Sequence, residues 1–116
     1  MVWGKPDRER IKALNDEMRT NGPLVPRTNR WLLTPGVLEL GAAGAERAVQ
    51  AVTAFAKFGA DNDPHGEHDF GSFAIDDARL FWKIDYYNTT LDGGSPDPSD
   101  PSVTVRVLTI MLALEY

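Results

Sequence analysis

The sequence contains no cysteine, which excludes disulfide staples, thiolate metal sites and cysteine nucleophiles. Histidine is scarce, with only His65 and His68, so no third histidine exists to tighten a zinc site. No apolar run approaches the roughly 20 residues of a membrane helix. The longest candidate, Val103 to Leu114, is broken by Thr104, Arg106 and Thr109. The start, Met1-Val2-Trp3-Gly4-Lys5-Pro6, leads straight into charged residues, so no signal peptide is expected. Nucleophile elbow, phosphate loop and dinucleotide fingerprint are all missing, and the glycines are scattered rather than patterned. Together these absences predict a cytoplasmic protein with no membrane contact. The length of 116 residues predicts a single domain over 1–116.

Charge is divided along the chain. Residues 1–60 carry a net +3 and residues 61–116 a net −8, giving −5 overall. An acidic half disfavours direct nucleic-acid binding, which depends on cations that neutralise phosphates. It suits a solvated acidic face, a cation site or a basic partner.

Ile11, Leu14 and Met18 fall at i, i+3 and i+7, predicting an amphipathic helix over Asp7–Thr20 that ends at Asn21-Gly22-Pro23. A loop to Asn29 follows, with Pro26 in it and basic character from Arg19, Arg27 and Arg30. Residues 30–34 predict a short strand, Thr34-Pro35-Gly36 a turn, and Val37–Leu40 a single helical turn. A second helix is expected over Ala43–Phe58, with Ala45, Ala48, Val49, Val52, Phe55 and Ala56 on one face and Gly59 as a left-handed cap. Ser72–Asn88 predicts a β-hairpin about Asp76-Asp77-Ala78-Arg79. Leu80, Trp82, Ile84 and Tyr86 form its core face, and Phe81, Lys83, Asp85 and Tyr87 its other face. Asp100 reads as an N-cap with Pro101 at the first helical position. Val103, Val107, Ile110, Met111 and Leu114 then predict a final helix, although Val103, Val105 and Val107 also alternate as a strand does. The expected order is α-β-α-β-β-α. That is an α+β domain whose small antiparallel sheet, of about three strands, is covered on one face by helices.

The chain concentrates its chemistry in Asp61-Asn62-Asp63-Pro64-His65-Gly66-Glu67-His68-Asp69-Phe70-Gly71. This stretch holds both histidines and four carboxylates. It is followed by Phe81-Trp82-Lys83-Ile84-Asp85-Tyr86-Tyr87, by Gly94-Ser95-Pro96-Asp97-Pro98, and by Val107-Leu108-Thr109-Ile110-Met111-Leu112-Ala113. In this order the segments resemble a small bacterial family catalogued as domain of unknown function 3768, from about Arg8 to Tyr116. The resemblance implies an association with plasmids and other mobile elements, and no activity. Small proteins of that setting are often inhibitors of host defence, of anti-CRISPR or anti-restriction type.

Four readings of the histidine stretch compete. Asp63, His65, His68 and Asp69 could converge on zinc with Glu67 as a base, or Asp61, Asp63 and Asp69 could hold a divalent cation through oxygens alone. His68 paired with Asp85 or Asp69 could act as a general base. Asp-Pro and His-Gly steps also make turns, so the stretch can be a pinned loop leading into the hairpin. Finally, Asp61, Asp63, Glu67, Asp69, Asp76 and Asp77, with Lys83, Asp85 and Tyr87, could form an acidic binding surface, anchored by Trp3, Trp31, Tyr86 or Tyr87. The leading expectation is a cofactor-free protein that binds a host protein or nucleoprotein complex through this surface. The alternative is a small metal-dependent or acid–base enzyme centred on Asp63–Asp69, with His65 and His68 as metal ligands.

Overall fold

A computed structural model describes residues 7–24 and 29–116. Trp3, Pro26 and Arg27 lie outside them, and with them the expected Trp3 anchor and part of the expected basic loop. Helix α1, Arg8–Asn21, starts at Asp7, whose carboxylate accepts from the Arg10 N–H at 3.1 Å. It ends at Gly22, whose φ of 77° suits a residue without Cβ. Its buried residues are Ile11, Asn15, Met18 and Arg19. The stripe is thus set by i, i+4, i+7 and i+8, and half of it is polar.

Strand β1, Arg30–Leu33, runs into a one-turn helix α2, Pro35–Leu38, and then α3, Gly41–Thr53. The expected helix over 43–58 therefore starts earlier and stops sooner. Its last turn gives way at Ala54, and the chain reaches Gly59 without helical structure. Phe55 and Phe58 leave the helix and pack against the sheet instead. The hairpin forms as strands β2, Phe70–Ile75, and β3, Ala78–Tyr87, joined by Asp76 and Asp77. Asp76 sits at φ 51°, the slot that short polar residues tolerate in two-residue turns.

The C-terminal segment is a strand, not the expected helix. Asp100 and Pro101 do start a helical turn, and the Asp100 carboxylate accepts from the Ser102 N–H at 2.9 Å. That turn covers only Pro101–Val103, and β4 follows at Val105–Leu112. The sheet has four strands in the order β1-β4-β3-β2. It is mixed rather than antiparallel, because β1 pairs with β4 in parallel while β2-β3 and β3-β4 are antiparallel. The α+β class holds, with one strand more than expected.

Helices α1 and α3 lie on one face of the sheet. There Met18, Val37, Ala48 and Val52 meet Leu80, Trp82, Ile84, Leu108 and Ile110. Trp82 is fully buried, with the rings of Phe55 and Phe58 edge-on at 5.5 and 6.1 Å. Across the β2–β3 ladder Trp82 faces Gly71. A Cβ at Gly71 would strike the Trp82 indole nitrogen and come within 2.7 Å of Phe55 Cζ, so glycine is required there. The other sheet face, with Arg30, Leu32, Val107, Thr109, Phe81, Lys83, Asp85 and Tyr87, has no described helix over it.

Candidate functional site

The histidine stretch is a loop built around Asp63. The Asp63 carboxylate is buried and accepts the backbone N–H groups of Glu67 and His68, both at 3.0 Å. Asn62 closes the preceding turn by accepting from the Gly59 N–H at 2.8 Å and donating to the Lys57 carbonyl at 2.9 Å. Both are the local side-chain-to-backbone bonds that Asp and Asn favour in turns.

His68 joins this loop to α1. Its Nδ1 lies 2.9 Å from Asp16 Oδ1, and since a carboxylate only accepts, Nδ1 carries the hydrogen. Its Nε2 faces Asp63 Oδ2 at 3.6 Å. The imidazole stacks on Phe58, with centroids 3.7 Å apart and planes 4° from parallel. Arg19, on the other flank, donates to Asp16 at 3.1 Å and to the carbonyls of Val52, Thr53 and Phe55, closing the C-terminus of α3. Asp16 thus bridges a guanidinium and an imidazole. Bonded to Asp16 through Nδ1 and stacked on Phe58, His68 fastens the loop to α1.

A second network lies beside it. The Tyr86 hydroxyl donates to Glu67 Oε1 and accepts from Asn15 Nδ2, both at 2.8 Å. Burial is the main reason the Tyr86 phenol is pushed well above its ordinary range, so it stays a donor. Asn15 also donates to the Glu67 carbonyl at 3.0 Å and accepts from Arg106 Nε at 2.7 Å. Asp69 makes no side-chain hydrogen bond among the described residues. Burial first, then the Glu67 charge, raises its carboxyl above the usual value.

The residues singled out from sequence separate into groups. Asp63, Glu67 and His68 come together in the loop networks, with Asp69 close by. Asp61 and His65 stand exposed on the loop's outer side. Asp76 is held by Arg47 of α3 through two contacts at 3.1 and 3.3 Å, while Asp77 is exposed and unpaired among the described residues. This turn lies at the far end of β2 from the loop, roughly 20 Å away at 3.3 Å per residue, so the two acidic clusters form no single row. Lys83, Asp85 and Tyr87 share the uncovered sheet face, with Lys83 Nζ 3.0 Å from Asp85. That bond is the first cause of the raised Lys83 ammonium pKa. Among the described residues no three His, Asp or Glu side chains converge on a point that could hold a metal ion. No described helix is long and apolar enough to cross a membrane.

The uncovered face is largely apolar. At one end Phe70, Phe81 and Tyr116 meet ring to ring, with centroids 5.2 to 6.2 Å apart. At the other, Arg30, Leu32, Tyr87, Leu91 and Val107 line a shallow hollow of about 280 Å³. Leu32 is 52% exposed. Asn15, Asp16, Arg19 and Arg106 escape a sequence reading because polar residues on a helix or strand look solvated. The one signal was the placement of Asn15 and Arg19 at i+4 and i+8 from Ile11.

A family model matches residues 33–115, most of the chain. The chain belongs to the family described as protein of unknown function (DUF3768). The DUF3768 match contains the loop, the hairpin and β4, and it begins later than the Arg8 start of the resemblance, leaving α1 outside. No curated protein and no solved structure matches the chain.

Proposed function

We propose that this DUF3768 protein works by binding another protein through the uncovered face of its sheet. The observation that carries this reading is the one-sided layering. Both long helices pack on one face, while the other combines an aromatic trio, an exposed leucine hollow and, among the described residues, one ion pair. Exposed apolar clusters of this kind, flanked by polar groups, are typical of interaction sites, and aromatic residues are their usual anchors. The partner's complementary chemistry is an apolar patch flanked by cations, since the protein carries a net −5. In its most specific form the partner is a host defence protein or nucleoprotein complex that this protein inhibits, the class suggested by the mobile-element resemblance.

The test is capture from a host lysate by the wild type, Leu32→Glu, Tyr87→Ala and the control Asp61→Asn, with the captured protein identified and rebound in purified form. The expected result is one partner, bound by the wild type and the control and lost by the two face variants. Equal binding by all four would overturn the reading. If the purified partner is a defence nuclease whose activity is unchanged by saturating wild-type protein, the inhibitor form fails and the binding face stands.

A further inference from the structure

On the opposite side of the sheet from that face, a cleft of about 340 Å³ opens between α1, β1 and Arg106 of β4. Arg106 is 1% exposed. Its Nε donates to Asn15 and its Nη2 to the Pro98 carbonyl, and Nη1 has no acceptor among the described residues. The Tyr86 ring lies 5.2 Å from the guanidinium carbon. No carboxylate of the described residues lies within ion-pair distance of Arg106, although buried charges are normally paired. Burial is the main cause that pulls its pKa down, opposed in part by Tyr86 and the more distant Glu67 charge, with Arg10 adding slightly to the lowering. Arg10, on the same cleft, also makes no ion pair among the described residues. Residues 1–6 and 25–28 contain no Asp or Glu, so they hold no carboxylate that could neutralise the pair. The walls are mixed: Asn21 and Asn29 are polar, Leu14 and Trp31 apolar, and Glu17 is the cleft's single carboxylate.

We propose that this cleft binds a small organic oxyanion, with its charged group at Arg10 and Arg106 and an apolar or planar body against Leu14 and Trp31. The volume suits a ligand of this size, and guanidinium groups are the usual partners of carboxylate and phosphate oxygens. Glu17 limits the tolerated charge and favours a singly charged group. The site is independent of the protein-binding face, since it lies behind the sheet.

The experiment uses the full isotope-labelled chain at constant ionic strength. Phenyl phosphate, benzoate, inorganic phosphate and benzyl alcohol are titrated separately while the Trp31 indole N–H resonance and the melting temperature are followed. Phenyl phosphate or benzoate should saturate the Trp31 shift and raise Tm, as binding to the folded state requires. Which of the two binds more tightly identifies the anion as phosphate ester or carboxylate. Inorganic phosphate lacks the body and benzyl alcohol the charge, so each should bind about tenfold more weakly or not at all. Arg10 is exposed, and Arg10→Gln should fold normally while weakening the organic anion about fivefold or more. Glu17→Gln should tighten it. Absence of saturable shifts with either organic anion, or unchanged affinity in Arg10→Gln, would overturn the proposal.

Discussion

His68 holds φ at 55°, a backbone conformation that costs a non-glycine residue about 1–2 kcal/mol. The cost is borne because the residue bonds Asp16, faces Asp63 and stacks on Phe58 at once. His68→Ala keeps the backbone cost and loses all three contacts, so urea unfolding should show a loss of about 2–3 kcal/mol. His68→Gly loses the same contacts but relieves the backbone, and should retain about 0.5–1 kcal/mol more than the alanine variant. Equal losses would show that the left-handed turn stores no strain. Asp69 tests the same loop by pH. Its folded pKa is raised, so the protonated form is favoured on folding and the ionised form opposes it. The stability it contributes is present below its ordinary value of 3.8 and lost as pH rises through the folded value. Asp69→Asn should therefore raise Tm at neutral pH, and the gain should vanish in acid. A lower Tm at pH 7 would mean that the carboxylate has a partner. At this scale the sequence marked the loop and its turn chemistry correctly in kind. It could not disclose that His68 pairs with Asp16, because 52 residues separate them and Asp16 reads as one more charge on an exposed helix face.

β4 shows where periodicity fails as a guide to an element. The hairpin was legible because Leu80, Trp82, Ile84 and Tyr86 alternate with more polar neighbours, and one face of β3 is more deeply buried than the other. β4 lies between β1 and β3, and its side chains are buried on both faces, beneath the helices on one and among the side chains of the neighbouring strands on the open one, so Val105 to Met111 is nearly continuously buried and no alternation survives. Its apolar residues then match a helical spacing by coincidence, and the Asp100-Pro101 start supports the wrong period for one turn only. The parallel β1 partner was beyond reach for a related reason: four-residue strands carry too little pattern to declare their neighbour. The two-sided burial has a measurable consequence. Leu108 faces the helices and Met111 the opposite side, packed among the open-face side chains. Leu108→Ala and Met111→Ala should each cost about 2–4 kcal/mol in denaturant unfolding. A cost below about 1 kcal/mol for Met111→Ala would mean that the Met111 side chain is solvated on the open face rather than packed among its neighbours.

For the whole molecule, charge and contact surface are separate instruments. The acidic half is acidic by count, yet most of its carboxylates are occupied. Asp63, Asp92, Asp97 and Asp100 brace loops, Glu115 accepts from Thr34 and from the Gly36 and Leu112 N–H groups, and Asp76 and Asp85 are paired with cations. Hydrogen bonds leave a carboxylate's charge in place, so the long-range field of a −5 protein persists even though few carboxylates remain free for contact. Such a field acts on encounter, whereas desolvated apolar anchors act on residence. The two should therefore separate in the kinetics of binding to the identified partner. Raising salt should slow association and leave dissociation nearly unchanged. Neutralising Asp61 and Asp77 together should likewise act on association alone. Leu32→Glu and Tyr87→Ala should instead speed dissociation about tenfold or more, because they open the hollow on the sheet face. If salt and the Asp61/Asp77 variant accelerate dissociation while Leu32→Glu leaves it untouched, recognition runs through carboxylate contacts, and the open face is only the protein's outer wall.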